Sequence, residues 1–228
     1  MTTQSNPLLP TEDQPSQRWP APAGSPHTPA PRLAPGLNRE IHFTLNGRPV
    51  SRVVDVRASL TETLREEFGM TSVKKGCEVG ECGACTVLID GESINSCIYL
   101  AVWADGKNLR TTEGLAADDG ALNLVQQAFV DETAVQCGFC TPGVLLTATE
   151  LMEERRTFSR DELRVRMSGH LCRCTGYENI LRAVESAIDA NLERGGEWTD
   201  HAFWEAVATV GDSPSASGVA GDPEPDQR

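Results

Sequence analysis

Eight cysteines are the residues of this 228-residue chain whose type and spacing suit metal chemistry. Thiolate sulfur binds zinc and iron in proteins, whereas two neighbouring thiols can instead form a disulfide. The first 38 residues contain no apolar core segment and no twin arginine, so the sequence predicts no secretion signal and a cytoplasmic location. Because cytoplasmic thiols are kept reduced, we expect the cysteines to bind metal rather than to form disulfides.

The first four cysteines have the spacing C-x4-C-x2-C-x11-C and are Cys77, Cys82, Cys85 and Cys97. The separations among the first three are those of a plant-type ferredoxin loop, in which four thiolates hold a 2Fe-2S cluster. Gly76, Gly80 and Gly83 lie in or beside this loop. Because glycine adopts backbone conformations closed to other residues, the loop can wrap a cluster and direct N–H groups at sulfur. A structural zinc site is the alternative, although such sites usually present two C-x2-C pairs.

The other four cysteines form a C-x2-C pair, followed after 31 residues by a C-x-C pair; they are Cys137, Cys140, Cys172 and Cys174. Alone, the C-x2-C pair could be a thioredoxin-like redox motif, but that motif belongs to a βαβ context and this pair lies between predicted helices. Each pair adjoins the start of a predicted helix, where free N–H groups and the helix dipole favour the negative charge of thiolates. Four thiolates from two loops can therefore close a second site.

The first cysteine group falls in a region whose pattern predicts a small α+β domain, residues 39–114. Apolar residues alternate over 41–45 as in a strand, and Asn46-Gly47 predicts a hairpin turn before a returning strand. A further strand at 86–89 leads into a second turn at Asp90-Gly91. Between these strands, apolar residues repeat every four positions over 60–68 and predict one helix.

The second cysteine group falls in a region predicted to be a four-helix domain, residues 115–200. Four segments between about 120 and 192 have the apolar spacing of helices, the first starting near Leu122. Pro142 suits the first turn of the second helix, and Ser159 with Glu162 forms a capping box at the third. The boundary between the two domains is expected at 112–114.

Two terminal segments are predicted to lie outside both domains. Nine of the 14 prolines fall in residues 1–38, a composition typical of a disordered tail. Residues 201–228 are predicted to contain a short helix at 201–210 and a second disordered tail. The net charge of −13 argues against a nucleic-acid partner and an anionic membrane surface. No apolar stretch approaches the roughly 20 residues of a membrane span.

Three stretches resemble the small iron–sulfur subunit, or N-terminal iron–sulfur region, of molybdenum hydroxylases such as xanthine dehydrogenase, aldehyde oxidoreductase and carbon monoxide dehydrogenase. These stretches are GCEVGECGACTV at 76–87, QCGFCTPG at 136–143 and LCRCTGY at 171–177. The resemblance spans about residues 40–192, so the two tails depart from it. It implies a β-grasp ferredoxin domain with one 2Fe-2S cluster near FAD, followed by an all-α four-helix domain with a second 2Fe-2S cluster beside molybdopterin.

The same resemblance implies partners and a direction of electron flow. Electrons would leave a molybdopterin centre on a large partner subunit, enter at the second cysteine group, pass to the first and leave to FAD on a medium partner subunit. Gln136 would hydrogen-bond the pterin and Cys174 would lie closest to it, although Gln136 can also be an ordinary exposed loop residue. No bond to substrate forms on this chain, so a partner would bind the substrate: an aldehyde, an N-heterocycle such as a purine, or carbon monoxide.

Two other functions remain open from the sequence: a zinc-stabilised structural module and a free-standing two-cluster ferredoxin. Both cysteine groups are already complete, so the histidines are expected to serve packing or surface roles. Lys74 and Lys75 are expected to be a solvated charge pair or a docking point for a partner. The histidines considered are His42, His170 and His201.

Overall fold

The computed structural model describes residues 37–117 and 120–195, which form one mixed sheet and five α-helices. The strand order is β2-β1-β5-β3-β4, with β1 and β5 parallel and the other neighbouring pairs antiparallel. The strands are β1 (Asn38–Leu45), β2 (Arg48–Asp55), β3 (Thr86–Ile89), β4 (Glu92–Asn95) and β5 (Asn108–Arg110).

Both predicted hairpin turns are confirmed, and their backbone explains why these residues occupy them. Asn46 and Gly47 have φ of 50° and 75°, and Asp90 and Gly91 have φ of 52° and 92°. Two successive positive φ values characterise the turns that match the twist of antiparallel strands, and Asn-Gly and Asp-Gly adopt them most readily. The turns therefore fix the pairing of β1 with β2 and of β3 with β4.

Helix α1 (Leu60–Glu66) packs on the sheet through Leu60 and Leu64, which are fully buried. The helix is shorter than the apolar repeat predicts, because Phe68 lies two residues beyond its end. Phe68 instead packs edge-on against Phe43 of β1, with 5.4 Å between ring centroids. Phe68 is therefore apolar because it packs against the core of the first domain, and not because the helix extends to it.

The four predicted helices are present as α2 (Leu124–Asp131), α3 (Thr141–Glu153), α4 (Arg160–Arg166) and α5 (Glu178–Glu193). The capping box of Ser159 and Glu162 is confirmed, and Pro142 lies in the first turn of α3. Helix α2 begins after Leu122 because Asn123 is its N-cap and forms a second capping box with Gln126. An α+β ferredoxin-type domain followed by an all-α domain is therefore confirmed as the fold class.

Strand β3 joins the two domains, because its side chains enter two different hydrophobic cores. Val87 and Ile89 belong to the core of the first domain, whereas Leu88 belongs to the core formed by the helices. All four residues of β3 are buried. Helix α3 packs across this strand, so β3 lies between the two cores.

The predicted domain limits of 39–114 and 115–200 stay predictions. Of the expected N-terminal tail, 1–38, only residues 37 and 38 are described, and β1 begins at Asn38. The segment 201–228, including His201 and the expected short helix, lies outside the described residues. Over 37–117 and 120–195, no helix is long and apolar enough to cross a membrane.

Candidate metal centres

Three cysteines of the first group lie on the loop between α1 and β3. The fourth, Cys97, lies on a one-turn 3-10 helix, Ser96–Ile98, which follows β4. Cys85 is buried directly before β3. The hydroxyl of Ser96 donates to the carbonyl oxygen of Cys85 at 2.6 Å, and the Asn95 amide donates to the carbonyl of Gly80 at 2.8 Å. These contacts hold the segment that carries Cys97 against the loop that carries the other three cysteines.

The four side chains of this group lie as two pairs. The Cys77 thiol lies next to that of Cys82, and the Cys97 thiol next to that of Cys85. The charge of Cys77 is also close enough to act on Cys97, so the two pairs are neighbours. The structure therefore brings all four predicted residues of the first group together.

Backbone N–H groups point at the sulfur of Cys77. The N–H groups of Val79 and Glu81 lie 3.5 and 3.2 Å from this sulfur, and they lower the pKa of the Cys77 thiol to about 6. Positive φ values at Glu78 (56°) and Gly80 (83°) turn the loop so that successive amides face the same side. Burial acts in the opposite direction at Cys97 and raises the pKa of its thiol to about 11.

The second cysteine group lies on two loops that each lead into a helix. Cys140 is the N-cap residue of α3, and Cys174 lies three residues before Tyr177, the N-cap of α5. The thiols again lie as two neighbouring pairs, Cys137 with Cys174 and Cys140 with Cys172. The expectation that both pairs adjoin helix starts is confirmed.

Exposure separates these two pairs. Cys137 and Cys174 are exposed, whereas Cys140 is buried and Cys172 partly buried. The N–H of Phe139 lowers the pKa of the Cys137 thiol, whereas burial raises the pKa of the Cys140 thiol to about 12. One edge of this candidate site therefore faces solvent and the other faces the helical core.

The paired arrangement suits a binuclear cluster. All eight cysteines are free of disulfides. Within the described part of the chain, no group of three or more His, Cys, Asp or Glu side chains is gathered as the ligands of one metal ion. In a 2Fe-2S cluster each of the two irons takes two protein ligands, so two neighbouring thiol pairs are the protein donor set that such a cluster needs.

The two cysteine loops touch each other through their backbones. The N–H of Leu171 donates to the carbonyl oxygen of Cys82, with 3.0 Å between the atoms. A Cβ atom on Gly83 would lie 2.4 Å from the carbonyl oxygen of Gly169, and one on Gly143 would lie 2.2 Å from the carbonyl oxygen of Gly83. Glycine is therefore required at both positions for the loops to approach this closely.

His170 fills the space between the loops. It is buried, and its Nε2 lies 2.8 Å from the hydroxyl of Thr147 on α3, which in turn lies 3.0 Å from the hydroxyl of Ser93 on β4. Burial lowers the pKa of His170 to about 4, so its ring is neutral near pH 7. The expected packing role is thus confirmed for His170, and His42 has the expected surface position.

Sequence reasoning missed the polar residues that connect the domains. Thr147 lies among apolar residues of α3, and Arg110 follows a buried leucine in β5. A polar residue among apolar neighbours is the sequence feature that could have identified each of them.

The two lysines before the first cysteine loop differ in their contacts. Lys74 donates to the carbonyl oxygen of Thr71 at 2.7 Å, and Lys75 is exposed.

Apolar and polar side chains are both exposed in the segments that carry Cys137 and Cys174. Val135, Phe139 and Leu171 are exposed, and so are Gln136 and Arg173. The Phe139 ring also reaches the first loop, since a Cβ atom on Gly76 would lie 3.5 Å from it. Exposed apolar side chains grouped around a metal-binding loop are typical of a protein-binding surface.

Comparison with known proteins gives the same two cluster-binding regions. Residues 43–116 match the family described as 2Fe-2S iron-sulfur cluster binding domain, and residues 111–185 match the family described as 2Fe-2S binding domain. The chain is 48% identical over 149 residues to the nicotinate dehydrogenase small FeS subunit of Eubacterium barkeri, covering 65% of this chain and 94% of that protein.

Two further relatives agree. The xanthine dehydrogenase iron-sulfur-binding subunit of Escherichia coli O157:H7 is 50% identical over 146 residues, covering 63% of this chain and 91% of the relative. A chain in the crystal structure of quinoline 2-oxidoreductase from Pseudomonas putida 86 superposes with a TM-score of 0.66 at 46% identity, over 70% of this chain and 98% of that one. The chain therefore belongs to the family of small iron–sulfur subunits of molybdenum hydroxylases, and it is the electron-transfer subunit of an oxidoreductase.

Proposed function

We propose that this subunit carries electrons from a molybdopterin centre on a large partner subunit to FAD on a medium partner subunit or to another acceptor. One 2Fe-2S cluster would be held by Cys77, Cys82, Cys85 and Cys97. A second would be held by Cys137, Cys140, Cys172 and Cys174. When bound, each cluster accepts and releases one electron, and the protein supplies position, electrostatic environment and shielding from solvent.

The backbone contact between the two cysteine loops is the observation that carries this proposal. The hydrogen bond from the N–H of Leu171 to the carbonyl of Cys82 joins a residue of the first group to the neighbour of Cys172. Leu171 is covalently next to Cys172, so a short path of bonds with a single hydrogen bond connects ligands of the two sites. An electron-transfer protein needs such rigid proximity, whereas a purely structural zinc module does not.

Each cysteine group has exposed apolar side chains beside it. Cys137 and Cys174 reach the surface beside exposed Phe139 and Leu171, which we assign to the large subunit. There the side-chain amide of Gln136 would hydrogen-bond the pterin, and Cys174 would be the ligand closest to it. The first loop exposes Val79, and Ile98 is exposed beside it, which we assign to the medium subunit.

We place the complex in the cytoplasm, with neither nucleic acid nor membrane as a partner, because the net charge of −13 opposes binding to anionic polymers and surfaces. The substrate would bind to the large subunit. Relatives named for nicotinate, xanthine and quinoline are 46–50% identical to this chain, whereas the aldehyde oxidoreductase iron-sulfur-binding subunit of Escherichia coli K12 is 38% identical. The higher identities favour an N-heterocycle over an aldehyde, and carbon monoxide is the third candidate.

Purification of the tagged chain from its native cell, without denaturant, tests this function. We expect two larger subunits to co-purify in equal amounts, with molybdenum and FAD in the complex. A coloured chain that purifies without larger subunits would instead indicate a free-standing ferredoxin. A colourless chain containing zinc would indicate a structural module.

A further inference from the structure

Thr175 places its hydroxyl against one sulfur of the second cysteine group. Its Oγ1 lies 3.2 Å from the Sγ of Cys172. The same oxygen accepts a hydrogen bond from the backbone N–H of Tyr177, at 3.1 Å. In the free thiol either atom can donate, because the hydroxyl oxygen has a second lone pair. A Cys172 thiolate bound to a cluster carries no hydrogen, so there Thr175 is the hydrogen-bond donor.

The loop geometry fixes this donor in place. Tyr177 has a φ of 69°, a left-handed conformation that is unfavourable for an aromatic residue. Its phenol oxygen accepts the backbone N–H of Cys172 at 2.9 Å, so the loop closes on itself. Cys172, Thr175 and Tyr177 thus form a ring of three contacts, which holds the Thr175 hydroxyl toward the sulfur.

The donor to the Cys172 sulfur is a side chain. Cys77 in the first group receives backbone N–H groups instead. Among the sulfur contacts of residues 37–117 and 120–195, the one at Cys172 comes from a side chain that a substitution can remove while leaving the backbone unchanged.

We propose that the Thr175 hydroxyl is a positioning and tuning residue that makes the cluster at Cys172 easier to reduce. This inference rests on the proposed function, since it takes Cys172 to be a cluster ligand. A reduced cluster carries one more negative charge than an oxidised one. A hydrogen bond to a ligand sulfur therefore stabilises the reduced form more and raises the reduction potential.

Potentiometry of the intact complex, with electron paramagnetic resonance used to follow each reduced cluster separately, tests this inference. In Thr175→Val we expect one cluster to show about a tenfold smaller ratio of reduced to oxidised form at a given potential, which corresponds to about 59 mV for a one-electron couple. The other cluster should keep its potential. Thr175→Ser, which keeps the hydroxyl, should return the shifted potential most of the way to the wild-type value.

The matched control is Thr149→Val. Thr149 is a buried residue of the helical domain whose hydroxyl donates to the Leu145 carbonyl within α3 and not to a sulfur, whereas Thr175 is half-buried. We expect both potentials to be unchanged in this variant. A shift there as large as in Thr175→Val would overturn the inference, because the effect would then follow from any lost hydroxyl in the domain.

Three other outcomes decide the matter. Unchanged potentials in Thr175→Val, with both resonance signals intact, would refute the tuning role. Thr175→Val and Thr175→Ala could both lose one resonance signal while Thr175→Ser keeps it. That result would show that the hydroxyl is needed for the cluster to bind, and it would also refute the tuning role. A wild-type complex without two cluster signals would refute the proposed function itself, and the inference would fall with it.

Discussion

The guanidinium of Arg110, at the end of β5, forms two parallel hydrogen bonds with the carboxylate of Glu153, at the end of α3, at 2.7 and 2.8 Å. The Arg110 side chain is 1% exposed and that of Glu153 is 22% exposed. This ion pair crosses the contact between the two domains. It lies apart from the cysteine loops, so its effect on stability can be measured separately from metal binding.

We expect Glu153→Gln to destabilise the chain by about 3 kcal/mol, because it leaves the buried Arg110 charge without its carboxylate. For a chain of this size the loss corresponds to a fall in the thermal midpoint of about 6–12 °C. The control is Arg164→Gln, since Arg164 pairs with Asp161 on the exposed surface of α4. That change should cost less than about 1 kcal/mol. Equal midpoints for the two variants would show that the interdomain pair contributes no more than a surface pair.

Alanine substitutions at two glycines with nearly the same φ distinguish the cost of a steric clash from the cost of a left-handed backbone conformation. Gly83 has a φ of 69° and Gly176 a φ of 66°, but only Gly83 has backbone atoms within reach of a Cβ. Gly176→Ala should cost about 1–2 kcal/mol from the left-handed conformation alone and should keep both clusters. Gly83→Ala should in addition force the two cysteine loops apart, with a larger fall in the thermal midpoint and loss of visible absorbance. Similar behaviour of both variants would contradict the close approach of the loops.

The contact between Leu171 and Cys82 predicts a change in the rate of electron transfer. Leu171→Pro removes the N–H that donates to Cys82, whereas Leu171→Ala keeps that N–H. Both variants lose the exposed side chain that we assign to the large-subunit surface, so the difference between them isolates the hydrogen bond. We expect electrons to pass between the clusters several-fold more slowly in Leu171→Pro than in Leu171→Ala. Rapid mixing of the complex with a reducing substrate, read at each cluster's spectrum, measures the rate. Equal rates in the two variants, with both clusters present, would remove this hydrogen bond from the path.

The partition of the cysteines into two groups predicts that each site can be lost separately. Cys97→Ser should remove one cluster signal and Cys140→Ser the other, each with a loss of about two iron atoms per chain. Electron paramagnetic resonance of the reduced variants distinguishes the two signals. If one substitution removed both signals, or if both substitutions removed the same signal, the assignment of ligands would be wrong.

Local features of the sequence were sufficient to predict most elements of the fold. Asn46-Gly47 and Asp90-Gly91 specify their turns by backbone conformation, and Ser159 with Glu162 specifies a helix start; both effects act over a few neighbouring residues. The limits that were wrong, at Phe68 and Leu122, arose where an apolar side chain lies outside the helix that its spacing suggests.

The contacts between distant segments could not be predicted. Arg110 and Glu153 are 43 residues apart, and nothing in their local patterns indicates that they pair. The joining of Leu171 to Cys82 likewise depends on how α3 packs across β3. Cysteine spacing predicts which residues form each site, but the distance between the sites is set by the packing of the two domains.

Metal and sulfide analysis of the purified wild-type chain, prepared without oxygen, tests the central claim most directly. The account predicts about four iron and four acid-labile sulfide per chain, a visible absorption band and no stoichiometric zinc. Four iron would correspond to the two sets of paired thiols, each filled by one 2Fe-2S cluster. A colourless chain that binds zinc in place of iron, or one whose cysteines form disulfides with one another, would contradict it.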